Sequence, residues 1–187
     1  MAGTGEKATM RGFWQCLGAA PIAAVAVLLA VGALAQAEPL RIVALGASNT
    51  AGWGVAASES YPAQLNALLS AKNIAAAVIN AGVPGDTTGG MLARLDREVP
   101  AGTHLVILQP GTNDERYGSG GERAANIAEI ERRLAARGTK LLLIENGMLA
   151  ELPNSELRED GIHYTPKGYA ILAERVLPLL LQALGQP

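Results

Sequence analysis

Four short apolar runs, set between helical stretches, constrain the fold of this 187-residue chain more than any other feature. They are Arg41–Leu45, Ala76–Ile79, Leu105–Gln109 and Lys140–Ile144. Each is rich in Leu or β-branched residues and lacks polar alternation, the pattern of strands covered on both faces. Between them the apolar period lengthens. Tyr61–Lys72 places Leu65, Leu68 and Leu69 on one helical face. Ala124–Arg137 aligns Ile127, Ile130 and Leu134 opposite its charges and stops at Gly138. Lys167–Leu184 turns Ile171, Leu172, Val176 and Leu180 inward, and Pro178 is expected to kink or restart it. Strands alternating with helices imply right-handed crossovers, hence a parallel sheet with helices on both sides.

In such a sheet ligands bind at the carboxyl ends of the strands. The segments expected there are Gly46–Thr50, Asn80–Asp86, Pro110–Asp114 and the turn Asp160–His163 before the last helix. All four are polar or glycine-rich. His104 opens the third run and so belongs to the opposite edge, which leaves His163 as the one imidazole near these turns. Asp160, three residues before it, can hold one ring tautomer and leave the other nitrogen free to accept a proton. Ser48, between small residues, becomes a nucleophile if that imidazole deprotonates it; otherwise it is a helix cap. The order Ser, Asp, His is one of several that build the same triad. Donors for an oxyanion are available in the N–H of Ser48, the N–H of Gly82 and the side-chain amide of Asn113, each type worth about 10²–10³-fold in rate. Read singly, Gly82 and Asn113 are equally a tight turn and an Asx-turn. Trp53, Met91, Met148, Leu149 and Ile162 are candidates for lining an acyl pocket, or else ordinary core and rim.

Composition removes competing functions. With 15 basic against 17 acidic residues and 4% aromatics, neither a nucleic-acid surface nor a stacking platform is expected. One Cys and two His leave little for a zinc or haem site, and no cofactor or metal is expected. Gly46–Gly54 lacks the Lys-Ser/Thr of a phosphate loop. Asp86, Asp114 and Asp160 leave a magnesium-dependent phosphohydrolase as the second enzyme class. Residues 1–37 read as a secretory signal. Lys7 and Arg11 flank nineteen uncharged residues, Leu17–Ala35, and Ala35-Gln36-Ala37 offers a cleavage site. An uncleaved anchor is the alternative reading of that run. Cleavage would leave one domain, 38–187, free of cysteine, without stable membrane insertion, in the periplasm or outside the cell. Its oligomeric state does not follow from the sequence.

These turns resemble the blocks of the SGNH, or GDSL-type, esterases and lipases, especially small periplasmic thioesterase/lysophospholipase members. Gly46-Ala47-Ser48-Asn49 resembles Gly-Asp-Ser-Leu, and Asn80-Ala81-Gly82 with Gly85-Asp86 the second block. Gly111-Thr112-Asn113-Asp114 resembles the third, and Asp160-Gly161-Ile162-His163 the last. The resemblance implies a flavodoxin-like three-layer α/β/α fold with four to five parallel strands. It implies Ser48 as nucleophile, His163 as base and Asp160 as its partner, with Ser48, Gly82 and Asn113 forming the oxyanion hole. The expected substrate is a small acyl ester or thioester. A carbohydrate O-acetyl esterase and a weakened binding module of the same fold are the alternatives. Two departures stand out. Ala47 and Asn49 replace the usual Asp and Leu, and only 47 positions separate Asn113 from Asp160. That spacing predicts a short or missing fifth strand and a more open site.

Overall fold

The structure, a computed structural model, describes residues 1–2 and 38–186. Residues 38–186 belong to one unit, Gln36–Pro187. The segment read as a secretory signal, residues 1–37, lies outside the described residues except for the first two. Strands β1 (Leu40–Gly46), β2 (Ala76–Gly82), β3 (Leu105–Gln109) and β4 (Lys140–Leu143) form one sheet in the order β2-β1-β3-β4, and every pairing is parallel. The helices are α1 (Ser48–Ala51), α2 (Tyr61–Ala71), α3 (Thr88–Glu98), α4 (Asn113–Arg116), α5 (Arg123–Ala135), α6 (Asn146–Ala150) and α7 (Pro166–Leu184).

Two apolar clusters explain why the central strands lack polar alternation. Ile42 and Ala44 of β1, with Leu105 and Ile107 of β3, pack on α2 and α7 through Tyr61, Leu65, Leu172 and Val176. The residues between them, Val43, Leu45, Val106 and Leu108, face the other way onto Met91 and Leu95 of α3 and Ile130 and Leu134 of α5. Successive side chains of a strand point to opposite faces, so a strand sandwiched by helices must be apolar at every position. Each fully buried Leu or Ile contributes about 1.5–3 kcal/mol through removal from water. The three-layer fold is therefore the one expected.

Several details depart from the expectation. Strand β2 runs on to Gly82, so Asn80–Gly82 is strand and not turn; Gly82 stands level with Gly46 of β1. A Cβ on Gly82 would lie 2.1 Å from the Ala51 nitrogen, so its bare backbone is what lets α1 settle on the strand end. Helix α3 had no counterpart in the sequence reading, because Gly89 and Gly90 weaken its first turn. Thr87 caps it, accepting from the Gly90 N–H at 3.2 Å. Pro178 neither ends nor restarts α7, whose flanking Val176, Leu177, Leu180 and Leu181 are all buried. Among the described residues no strand follows β4. The chain passes through α6 and an antiparallel bridge, Leu157 to Tyr164, into α7.

The order of the strands reverses between β1 and β3, and ligands bind at that switch point in open α/β sheets. Ser48 follows β1 and Asn113 follows β3, so the two stand on either side of it.

Candidate active site

The Asp160–His163 turn is the most strongly determined piece of the site. It forms the tip of a hairpin closed by two bonds, Arg158 N–H to the His163 carbonyl at 2.8 Å and Thr165 N–H to the Glu156 carbonyl at 2.8 Å. Gly161 at the tip takes φ +67°, a conformation costly for any residue with a Cβ. Asp160 Oδ1 accepts the N–H groups of Ile162 and His163, each at 2.9 Å, while Oδ2 lies 2.7 Å from His163 Nδ1. The His163 N–H, the His163 ring and the Ile162 N–H hold the Asp160 carboxyl well below the usual carboxylate range. A carboxylate on Nδ1 leaves the proton there and makes Nε2 the acceptor. Nε2 is buried and has no hydrogen-bond partner among the described residues.

Ser48 begins α1 and lines two adjoining clefts. The larger, about 410 Å³, is shared with His163, Trp53, Gly85, Asn113 and Tyr117. The smaller, about 280 Å³, is shared with Asn49, Gln109, Asn113, Asn146 and Leu149. No hydrogen bond joins His163 Nε2 to the Ser48 hydroxyl, a contact that in hydrolases tightens when substrate binds. Asn49 braces the two halves. Its Nδ2 donates to the Ile162 carbonyl at 3.4 Å and its Oδ1 accepts from the Tyr169 hydroxyl at 3.0 Å. Burial pushes that phenol up to about 12, which keeps it a donor. Ala47, where the family resemblance led us to expect Asp, is buried among the α3–α5 cluster.

Of the candidate oxyanion donors, Ser48 and Asn113 face the clefts and Gly82 does not. The Gly82 N–H donates to Asn80 Oδ1 at 2.9 Å, and the residue lines neither cleft. Gly85, three residues on, lines the larger cleft with φ +81°, and among the described residues no acceptor takes its N–H. The sequence reading passed over Gly85; the signal available was the Gly-Asp pair that closes the turn. Asn113 Nδ2 donates one proton to the Asp86 carbonyl at 2.8 Å and keeps its second for a ligand. Asp114 beside it is fully buried, accepting from the Thr88 N–H at 3.0 Å and from the Thr88 hydroxyl at 2.5 Å. Through these bonds it anchors the loop.

The apolar candidates divide. Trp53 and Ile162 are about half exposed at the cleft, and the Trp53 ring lies 6.3 Å from that of His163. Leu149 lines the smaller cleft. Met91 and Met148 do not reach the site: Met91 is fully buried under β1 and β3, and Met148 packs on the α2–α7 cluster. Tyr117, 60% exposed, joins the cleft unforeseen. His104 lies before β3 at the far edge, where its Nδ1 accepts the Arg41 N–H at 3.0 Å.

A strand-end serine, a histidine on the same cleft backed by Asp160 and a Gly-x-Asn-Asp turn coincide here with a family pattern. The model of the GDSL-like lipase/acylhydrolase family matches residues 44–157. The chain belongs to this family. The match ends before Asp160, so that turn is identified by its geometry alone. Esterase TesA of Pseudomonas aeruginosa is 33% identical over 114 residues, 58% of this chain and 55% of that protein. The chain thus aligns with about half the length of this curated relative. Among solved structures, that of TesA superposes with a TM-score of 0.66, at 26% identity over 79% of this chain and 100% of that one. AlinE4, an SGNH-hydrolase family esterase, gives 0.53 at 30% identity over 80% of this chain and 74% of its own.

Proposed function

We propose that this GDSL-family chain is a serine ester hydrolase working through an acyl-enzyme. One observation carries the reading: a buried, unpartnered imidazole nitrogen, fixed from behind by a carboxylate, faces the cleft that Ser48 lines. In the first step Ser48 Oγ attacks the acyl carbon while His163 Nε2 takes its proton and Asp160 stabilises the imidazolium. The carbonyl oxygen, now an oxyanion, accepts from the N–H of Ser48, the N–H of Gly85 and Asn113 Nδ2. The N–H of Ser48 is free for this because the first amides of a helix have no partner within it. The leaving alcohol or thiol takes the proton from Nε2. Water, deprotonated by the same nitrogen, then releases the acid.

His163 lines the larger cleft and not the smaller. The leaving group must meet Nε2, so the alcohol side belongs with Trp53 and Tyr117, and the acyl group enters the smaller cleft beside Gln109 and Leu149. A space of about 280 Å³ with polar Gln109 and Asn146 in its wall suits short acyl groups. Export, with processing before Glu38, completes the proposal.

The test uses p-nitrophenyl esters from acetyl to palmitoyl beside an acyl-CoA series, with a fluorophosphonate as serine probe. Serine-dependent turnover with an optimum at short chains is expected. Ser48→Ala should lose turnover and labelling while retaining its melting temperature. A folded wild-type chain that neither labels nor turns over any ester defeats the hydrolase reading and leaves the binding module. An optimum at palmitoyl defeats the assignment of the smaller cleft.

A further inference from the structure

Arg94 sits in the middle of α3 with its side chain 9% exposed, and the mechanism above makes no use of it. A guanidinium taken out of water is costly unless its donors are met. Here each nitrogen has an acceptor. Nε meets Asp86 Oδ2 at 2.8 Å, Nη1 the Ala81 carbonyl at 2.8 Å and Nη2 the Gly46 carbonyl at 3.1 Å. These acceptors share one location: the carboxyl ends of β1 and β2 and the loop that leaves β2.

Two of these contacts, to Gly46 and Asp86, lead to groups that face the reacting carbonyl. Gly46 lies two residues before Ser48. Asp86 shares a peptide with Gly85, and its own carbonyl accepts Asn113 Nδ2 at 2.8 Å. Asp86 is itself clamped: Oδ1 accepts the Thr87 N–H at 3.0 Å, and its N–H donates to the Val83 carbonyl at 3.1 Å. Gly90 on the next turn makes room for it, since a Cβ there would lie 1.9 Å from Asp86 Oδ1. We infer that Arg94 is the positioning residue of the oxyanion hole, fixing the Ser48, Gly85 and Asn113 donors relative to one another through Gly46 and Asp86. A planar fork with donors in set directions is needed to span three acceptors, which a lysine ammonium cannot reproduce. The inference rests on the hydrolase reading above.

Arg94→Lys tests it, because the charge stays and the fork goes. We would measure kcat and KM on a short p-nitrophenyl ester, melting temperature, and affinity for an alkyl trifluoromethyl ketone. Ser48 Oγ adds to that ketone's carbonyl carbon, its proton passes to His163, and the carbonyl oxygen becomes an oxyanion in the hole. Displacing the donors by an ångström is expected to cost about 10²-fold in kcat and in ketone affinity. KM and the pH of the ascending limb should not move, since neither the clefts nor the Asp160–His163 turn is touched. Kinetics and ketone affinity within twofold of wild type, in a folded variant, overturn the inference. So does a loss of kcat that only tracks the unfolded fraction. If Arg94→Lys does not fold, Asp86→Asn weakens the same anchor, with the same expected losses and the same overturning result. Wild-type protein that turns over no ester and binds no ketone defeats the hydrolase reading, and this inference with it. Wild-type turnover with an indifferent Arg94→Lys defeats the inference alone.

Discussion

The two halves of the site are built in opposite ways. The Asp160–His163 half is a hairpin tip whose bonds run between residues two to nine apart, on a carboxylate 41% exposed. The oxyanion half is held across long stretches of chain: Arg94 to Gly46 spans 48 positions, Asn113 to Asp86 spans 27 and Thr88 to Asp114 spans 26. Its anchors, Arg94 and Asp114, are buried. The lesson is that the proton-handling half depends on local geometry and can change without disturbing the core. The charge-stabilising half is part of the scaffold, and altering its anchors alters both activity and stability.

Asp160→Asn gives the largest expected effect and separates the halves most cleanly. An amide in that place no longer fixes the productive tautomer, and kcat should fall about 10⁴-fold, as in other triads. Melting at neutral pH should fall only by what this exposed charge contributes, because the amide oxygen can still accept the Ile162 and His163 N–H groups and the turn keeps its backbone closure. The charge also sets the pH dependence. The carboxyl of Asp160 is lowered in the fold, so its contribution to stability is present above its ordinary range and lost as pH falls toward its folded value. Wild-type kcat in a folded Asp160→Asn variant would break the assignment of His163 as base.

The next effects fall on the scaffold half. Asp114→Ala strands the Thr88 N–H and hydroxyl in a buried place and should cost about 2–4 kcal/mol, read by urea denaturation. Activity should fall with it, because Asn113 is the neighbouring residue. Gly82→Ala should behave alike, since its Cβ meets the Ala51 backbone. Full stability in Asp114→Ala would remove the contrast between the halves.

This difference also governs what could be read before the fold was known. The strand runs were legible because burial on both faces forces apolar residues at every position, as at Ile42–Leu45. Asp160 and His163 were legible because three residues of spacing already place them in contact. Gly82 was chosen as oxyanion donor because its sequence sits at the end of an apolar run. Whether that glycine closes the strand or lines the cleft depends on where β1 and α1 stop, which no local pattern records. Met91 was offered for the pocket as an apolar side chain, and only the fold shows that it lies in the core between the sheet and α3. Nothing local marks Arg94, because its three acceptors come from two strands and a loop.

The smallest expected effect sharpens the comparison by moving an oxyanion donor without touching an anchor. Gly85 has open space around it; a Cβ would meet only the Tyr117 hydroxyl, at 3.6 Å. The cost of Gly85→Ala is therefore the φ of +81°, about 1–2 kcal/mol for an L-residue. The chain can bear that cost or relieve it by rotating the peptide whose N–H points at the cleft. Relief by rotation would leave melting near wild type and lower kcat with KM unchanged; bearing the strain would lower melting by the full amount and spare kcat. Since no acceptor holds that N–H in place, rotation meets less resistance, and we expect kcat to fall more than the stability loss explains. Circular dichroism melts beside steady-state kinetics decide it, and a variant that melts early with unimpaired kcat removes Gly85 from the oxyanion hole.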